Sequence, residues 1–433
     1  MSESVIAIII LVVSFLILML MRLGIGFAMG ISTFITMLFL RINPSIVFQG
    51  MVSGTSSYSF LAVPFFIFAG DIMSAGGISD KLIDFSRALV GWTRGGGAFV
   101  NVVASMFFGG ISGSAVGDIA ALGPMEMKLM TQQGFDTEYS CALTLASSIQ
   151  GMLIPPSHNL VIYAVAAGSV SIGALLMAGL VPGVFLGIAL MVYSYIYAIR
   201  HEIKACEEFN LKNVLKTGIT ALWGLMTIII ILLGVNNGIM TATESAAVAA
   251  IWALFVSLVI YRKMKIRDYF KVASKSVKLL GLIMVLISAS NSFGWIVSYL
   301  KIPSLITKGL LTITSSKIII MLMINLLLIF LGMIMSMSSI IVILTPILVP
   351  VLGSLGISLV QFGTVLVLNL GIGLLTPPVG GALYVGSAIS GVEPKRLVKS
   401  LMPLYLVMFS VLMIITYVPD ISLFLPRILG HVI

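Results

Sequence analysis

Four short stretches rich in glycine, serine and proline interrupt the most hydrophobic parts of the chain. They read GGISGSAVGD at 109–118, QGMLIPPSHN at 150–159, GMIMSMSS at 332–339 and GIGLLTPPVGG at 371–381. Proline inside a helix removes a backbone donor and frees a carbonyl one turn earlier, whereas glycine allows the backbone to turn and to approach a partner closely. Each stretch therefore predicts a break in helical structure.

The four stretches form two copies of one pattern. A shift of 222 residues aligns, without a gap, Gly110 with Gly332, Ser114 with Ser336, Gly151 with Gly373, and Pro155-Pro156 with Pro377-Pro378. These identities carry weight because glycine and proline each fix backbone geometry. A hairpin with a polar tip, followed by an interrupted helix, is therefore expected twice.

The sequence around these stretches is typical of a membrane protein. Of 433 residues, 59% are hydrophobic and 9% are charged, whereas soluble proteins average about 25% charged residues. Each crossing of a bilayer needs roughly 20 apolar residues, and its backbone must be helical. The composition therefore predicts an all-α polytopic membrane protein. The first apolar run, Val5 to Met21, lacks a basic start and a cleavage site, so we expect it to be a retained span.

The apolar runs predict ten crossings and two re-entrant hairpins. The crossings are expected near 5–21, 24–40, 58–74, 139–165, 174–198, 217–235, 241–261, 279–300, 360–388 and 400–426, and the hairpins at 95–130 and 317–352. Residues 78–92 carry charges at helical spacing and predict an amphipathic helix at the cytoplasmic interface, with an ordinary solvated connector as the alternative.

Charge sets the expected orientation. With an external N-terminus, 19 of the 24 lysines and arginines fall on the cytoplasmic side, as the positive-inside rule requires. Both termini are then periplasmic. The two interrupted helices lie five crossings apart, and because five is odd, the second unit is inverted relative to the first. Paired interruptions in an inverted repeat indicate a transport site near the middle of the membrane.

The chemistry of the four stretches favours a monovalent cation. Their carbonyl and hydroxyl oxygens lack a fixed charge and suit sodium, whereas a divalent ion usually recruits carboxylates. The alternative is that glycine and serine here only allow tight helix packing.

Few ionisable residues lie near the predicted breaks. Asp118 either has a functional role, as buried charges in membranes often do, or caps the half-helix that follows the tip. Glu126 is expected to face the cytoplasm, and Glu244 to have a structural role. His158 and Asn159 either bind polar groups of a substrate or satisfy backbone groups freed by the break.

Several function classes are disfavoured. The three histidines are scattered, no GxxxxGK[ST] phosphate loop is present, and nothing indicates an organic cofactor. The net charge of +9 is explained by basic loops between spans, not by nucleic-acid binding. An integral-membrane enzyme or an assembly scaffold is the remaining alternative, and the missing catalytic residues argue against it.

The segments GGISGSAVGDIAALGPMEMKLM, GMLIPPSHNLVIYAVAAG and GLLTPPVGGALYVGSAISG resemble the large permease (M) subunit of TRAP transporters, within the ion transporter superfamily. The resemblance implies an elevator-type carrier of the bacterial inner membrane that is driven by sodium. It also implies a separate small membrane subunit of about four helices and a periplasmic binding protein that delivers a small carboxylate such as a dicarboxylate, sialic acid or a sugar acid. A stand-alone sodium-coupled anion symporter of the same superfamily is the alternative.

The resemblance also implies particular site residues. Sodium ligands are expected from Ser112, Gly113, Ser114, Gly151, Ile154 and Pro156 in the first unit, and from Ser336, Ser338, Ser339, Gly373, Thr376 and Pro378 in the second. Substrate contacts are expected from Ser157, His158, Asn159, Gly380 and Gly381. Scaffold helices then occupy 1–94 and 199–316, and transport elements occupy 95–198 and 317–433.

Overall fold

A computed structural model of the protein describes residues 3–21, 23–56, 61–205, 208–314 and 316–431. These residues form helices and no strand. Seven of the helices are long and apolar enough to cross a membrane, and the predicted all-α membrane fold is confirmed. The start of the predicted crossing at 58–74 lies outside the described residues, as does Arg22, which the orientation argument places in the cytoplasm.

The first unit opens with five helices: α1 (Glu3–Leu20), α2 (Ile25–Phe39), α3 (Ser45–Thr55), α4 (Ala62–Ala75) and α5 (Ile78–Val90). The axis of α5 is bent by 72° from that of α4. Leu82 and Ile83 are buried on one side of α5, whereas Asp84 and Arg87 are exposed on the other. The predicted amphipathic helix is therefore confirmed, and its place at the cytoplasmic interface stays a prediction.

The first unit continues with the hairpin, the broken helix and a long closing helix. These are α6 (Gly96–Ser112), α7 (Ala115–Ala121), α8 (Gly123–Gln132), α9 (Thr137–Gln150), α10 (His158–Ala167) and α11 (Ile172–Arg200). The return arm of the hairpin is divided at Leu122, directly before the Gly123-Pro124 pair that begins α8.

The second unit repeats this order. It contains α12 (Leu211–Asn236), α13 (Ala242–Phe255, continued by a π-helical turn at Val256–Ile260), α14 (Ile266–Tyr299), α15 (Ile302–Ile313), α16 (Lys317–Gly332), α17 (Met337–Ser354), α18 (Leu359–Leu375), α19 (Gly381–Ser390) and α20 (Pro394–Tyr417). A last helix, α21 (Pro419–Ile428), follows.

The repeat is longer than the sequence indicated. Shifting α5 by 222 residues places it on α15, and shifting α11 places its first residue on the first residue of α20. The four helices between the two broken helices, α11 to α14, are all long enough to cross a membrane. Four intervening crossings give the two units opposite orientations, as predicted.

A buried asparagine holds each hairpin to its broken helix. In the first unit Asn101 of α6 donates to the Thr144 hydroxyl at 2.6 Å and accepts from the Ser147 hydroxyl at 2.7 Å. In the second, Asn369 of α18 donates to the side-chain oxygen of Asn325 on α16 at 2.9 Å. Ser147 and Asn369 are equivalent by the 222-residue shift. Because these groups are buried, they cannot exchange these hydrogen bonds for bonds to water. The bonds therefore fix the register between hairpin and helix.

A second group of helices packs beside these elements. The helix α4 lies along α13, and α14 lies along α2 and α3. Hydroxyls of Ser288 and Ser292 on α14 donate to the backbone carbonyls of Met51 and Val47, at 2.8 and 2.6 Å. This group meets the hairpins through contacts of α4 with α6 and α10 and of α14 with α17.

The structure corrects two boundaries and adds two short helices. The crossing predicted at 400–426 ends at Tyr417, and α21 begins at Pro419, because the residue before a proline is disfavoured in helical geometry. The crossing predicted at 279–300 belongs to a helix that begins at Ile266, since its charged first turns remain helical outside the apolar run. The short helices α3 and α15 were not predicted.

We expect Asn325→Ala to destabilise the protein by about 1–3 kcal/mol, because it leaves the buried amide of Asn369 without its side-chain acceptor. Thermal unfolding of the purified protein in detergent measures the effect. The exposed Asn213 at the start of α12 supplies the matched control, Asn213→Ala. Equal melting temperatures for the two variants would contradict a structural role for this amide.

Candidate transport site

The tip of the first hairpin is a two-residue turn. The helix α6 ends at Ser112, and Gly113 takes a left-handed conformation with φ of +61° that favours glycine. The Ser114 hydroxyl then accepts from the backbone amide of Gly117 at 3.3 Å and caps α7. The predicted tip at 109–118 is therefore too long, since Gly109 and Asp118 are both helical.

The first broken helix is interrupted at residues 151–157, all of which are buried. The Ser157 hydroxyl accepts from the amide of Leu160 at 3.4 Å and donates to the carbonyl of Met152. The Asn159 side chain donates to the carbonyl of Gly113 at 3.3 Å. Of the two roles considered for Asn159, the structure shows the satisfaction of a freed backbone group, and this bond joins the break to the hairpin tip.

The hairpin and the break approach so closely that only glycine fits. A Cβ atom added to Gly151 would lie 2.3 Å from the Cα of Gly109. A Cβ on Gly110 would lie 2.8 Å from the carbonyl oxygen of Pro155, and one on Gly113 would lie 2.8 Å from the Nδ1 of His158. The Pro155 and Pro156 carbonyls therefore lie beside the tip that carries Ser112 and Ser114.

The second unit repeats this arrangement with a wider loop. The helix α16 ends at Gly332 and α17 begins at Met337, so the loop is shorter than the predicted 332–339. The hydroxyls of Ser336 and Ser339 lie 2.5 Å apart, and Ser338 is half-buried beside them. A Cβ on Gly373 would lie 2.7 Å from the Cα of Gly332, which is the counterpart of the Gly109–Gly151 contact.

The second broken helix is interrupted at 376–380, and Gly371 to Leu375, predicted within the break, are helical. The Thr376 hydroxyl donates to the carbonyl of Ile372 at 2.9 Å, and the amide of Val379 donates to the carbonyl of Met333 in the hairpin loop at 3.1 Å. Gly380, with φ of +39°, precedes α19, and Gly381 begins it. The positive φ of Gly380 favours glycine, whereas a Cβ on Gly381 would meet open space.

The two broken helices meet. A Cβ on Gly371 would lie 2.7 Å from Ile149 and 2.7 Å from Met152. The helical part of α18 just before the second break thus packs against the end of α9 and the start of the first break. A site shared by both units stays a prediction.

The two halves of the site differ in exposure. Residues 151–157 are buried, whereas Ser336, Pro378 and Gly381 are exposed. A cavity of about 540 Å³ lies beside α10, between α14 and α17, and its polar lining includes Ser290, Asn291 and Ser298. None of the predicted substrate residues lines this cavity.

Two tyrosines that sequence reasoning missed complete the second break. The Tyr405 hydroxyl on α20 donates to the carbonyl of Leu375 at 2.6 Å, and the Tyr384 hydroxyl donates to that of Pro378 at 3.2 Å. Both carbonyls are freed where α18 ends. A tyrosine in an otherwise apolar crossing is the signal that could have identified Tyr405, because a buried hydroxyl usually has a partner.

The structure excludes the capping role considered for Asp118 and corrects the predicted exposure of Glu126. Ser114, not Asp118, caps α7, and Glu126 is buried instead of facing the cytoplasm. Each acid lies in the first turn of a short helix, where the helix dipole stabilises a charge by about 1 kcal/mol. Burying a carboxylate costs several kcal/mol, so the dipole does not offset the burial. Glu244 caps α13 in a capping box with Thr241, which agrees with the predicted structural role.

No group of three His, Cys, Asp or Glu side chains that could hold a metal ion occurs in the described part of the chain. The oxygens around the breaks are carbonyls and hydroxyls. Two units, each with a re-entrant hairpin against a broken helix, and with the two broken helices packed against each other, define a membrane transporter. The fold resembles the crystal structure of the Alcanivorax borkumensis YdaH transporter, with a TM-score of 0.62, 15% identity and coverage of 85% of this chain and 87% of that one.

Sequence comparison identifies the family. The profile of the DctM component of the tripartite ATP-independent periplasmic transporters matches residues 12–421, and the chain belongs to this family. It is 37% identical to the sialic acid TRAP transporter large permease SiaM of Vibrio cholerae, over 88% of this chain and 90% of that protein. It is 38% identical to the C4-dicarboxylate TRAP permease DctM of Pseudomonas aeruginosa, over 86% of this chain and 87% of that protein. The protein is therefore a TRAP large permease and not an enzyme.

We expect Gly151→Ala to separate the first hairpin from its broken helix, because the new methyl group overlaps the backbone of Gly109. Overpacking of this kind costs about 1–3 kcal/mol, and the melting temperature and uptake in liposomes should both fall. Gly281→Ala on α14 is the control, since a Cβ there meets open space. A Gly151→Ala variant as stable and active as the Gly281→Ala variant would show that the close approach is not required.

Proposed function

We propose that the protein is the large membrane subunit of a sodium-coupled carrier that imports a small carboxylate delivered by a periplasmic binding protein. The observation that carries the proposal is the juxtaposition of break carbonyls and hairpin hydroxyls in the first unit, together with a pair of hydroxyls at the tip of the second hairpin. The Pro155 and Pro156 carbonyls lie against the tip that bears Ser112 and Ser114, and Ser336 and Ser339 lie in the second tip. Uncharged oxygens of this kind suit a monovalent cation.

The proposed substrate class rests on the named relatives and on the site. The relatives include permeases for sialic acid and C4-dicarboxylates, and both kinds of substrate carry a carboxylate. Ser157 and Asn159 are already bonded to the backbone. Among the predicted substrate side chains, we therefore assign the main polar contact to His158, which lies next to the tip at Gly113.

The proposed orientation places both termini in the periplasm, with 19 of the 24 basic residues on the cytoplasmic side. The hairpins and broken helices then carry sodium and substrate across the membrane together, against the bundle of α2, α3, α4, α13 and α14. A small membrane subunit of about four helices completes the assembly. Cross-linking can map where the small membrane subunit docks on the exposed apolar surface of this chain.

Reconstitution in liposomes tests the whole proposal. We expect uptake of a radiolabelled carboxylate only when sodium, the small subunit and the binding protein are all present. Potassium in place of sodium, and omission of each protein in turn, are the controls. Sodium-dependent uptake by this chain alone would favour a stand-alone symporter. Uptake at the same rate with and without sodium would contradict the proposed sodium coupling.

Ser339→Ala should weaken sodium activation, because it removes one hydroxyl oxygen from the second tip. Loss of about 1.4 kcal/mol of binding free energy raises the half-saturating sodium concentration roughly tenfold. The sodium dependence of initial uptake rates measures this change. Ser354→Ala, at the far end of α17, is the matched control, since its hydroxyl bonds only to the carbonyl of Val351 one turn earlier. Identical sodium curves for the two variants would exclude Ser339 as a ligand.

A further inference from the structure

We propose that Asp118 and Glu126 form a buried proton-binding pair in the return arm of the first hairpin. Asp118 lies on α7 and Glu126 on α8, and each is 1% exposed. All four carboxyl oxygens are buried without a hydrogen-bond partner among the described residues. The helices α7 and α8 are consecutive and in contact, so both carboxyl groups lie in one buried region. Neither sodium coupling nor the substrate site makes use of this pair.

Among the described residues, no lysine or arginine forms an ion pair with Asp118 or Glu126. The elements packed against α7 and α8 are α6, α9 and α19, and α6 carries no charged side chain. On α9, Glu138 faces Arg396 at 3.9 Å, and the titratable Tyr139 and Cys141 bond to Ser194 and to the Gly386 carbonyl. On α19, the Tyr384 hydroxyl bonds to Pro378. Lys128 is exposed. It lies two residues after Glu126 on the same helix, so its side chain points to a different face.

The hydroxyls near the pair leave its carboxyl groups without a hydrogen-bond donor, which a bound proton would supply. Ser105 lies beside both carboxyl groups, but its hydroxyl already shares a 3.2 Å hydrogen bond with that of Ser147. Ser147 donates to Asn101, and Thr144 donates to the carbonyl of Ser140. The hydroxyl hydrogens of Ser147 and Thr144 are therefore engaged elsewhere and do not reach the carboxyl groups. A proton needs only the two carboxyl groups, since one can donate and the other accept.

The charge of the pair would then control how the hairpin packs. With one proton bound, the pair carries one negative charge fewer, and the mutual repulsion of two buried carboxylates is removed. Loss of that proton places two like charges between α7, α8 and α9. The first hairpin should then loosen from α9, which carries half of the first broken helix. This coupling would make the stability of the hairpin depend on pH.

The sign of the dependence follows from linkage. A carboxyl that is protonated in the folded protein but ionised in the unfolded chain stabilises the fold at low pH and loses that contribution as the pH rises. We expect the melting temperature of the purified wild-type protein to fall from neutral to alkaline pH. Glu126→Gln, which cannot ionise, should lose most of that fall, and Asp118→Asn should behave alike if it folds.

Glu138→Gln is the matched control, because Glu138 is a partly exposed acid on α9 that faces Arg396. This variant should show the same fall in melting temperature at alkaline pH as the wild type.

Infrared spectroscopy detects the bound proton directly. The wild type should show the carbonyl stretch of a protonated buried carboxylic acid at neutral pH, and Glu126→Gln should lose intensity in that band.

Two results would overturn the proposal. The first is an identical alkaline fall in the wild type and in Glu126→Gln, with no protonated carboxyl band in either. The second is a fall that occurs only without sodium and is abolished by sodium in the wild type but not in Glu126→Gln, since that pattern identifies a cation site. Both readings use protein in detergent without substrate or partners, so they are independent of the proposed transport function.

Discussion

A backbone group that leaves a helix inside a membrane must find another partner, because hydrocarbon offers none, and this constraint governs the centre of the protein. The Met152 carbonyl receives the Ser157 hydroxyl, and the carbonyl of Gly113 receives the Asn159 amide. In the second unit, Leu375 and Val379 are satisfied by Tyr405 and by the hairpin loop at Met333. These backbone groups at the breaks and the hairpin tip therefore have specific hydrogen-bond partners within the fold.

Close contact between hairpin and broken helix follows from the same constraint. The pairs Gly109–Gly151 and Gly332–Gly373 bring two backbones together at distances that no side chain allows. Buried asparagines set the register on the same interfaces. The first break is buried throughout, whereas the second exposes Ser336 and Pro378. The two halves of the candidate site therefore have unequal exposure in this conformation.

The sequence predicted the repeat because glycine and proline act locally. The two Pro-Pro pairs lie within the observed breaks, whereas Gly373, predicted within the second break, is helical. Partners supplied by distant helices left no such signal: Tyr405 lies 30 residues from the carbonyl that it satisfies. Asp118 illustrates the limit, because its position after the tip suggested a cap, and only the fold shows that Ser114 caps α7 and that Glu126 is also buried.

Direct binding of radioactive sodium to the purified protein tests the central claim, that the freed oxygens and hairpin hydroxyls hold a monovalent cation at the breaks. The account predicts saturable binding that unlabelled sodium displaces and potassium does not, without any requirement for substrate, binding protein or small subunit. Absence of saturable binding, or equal displacement by both ions, would contradict it.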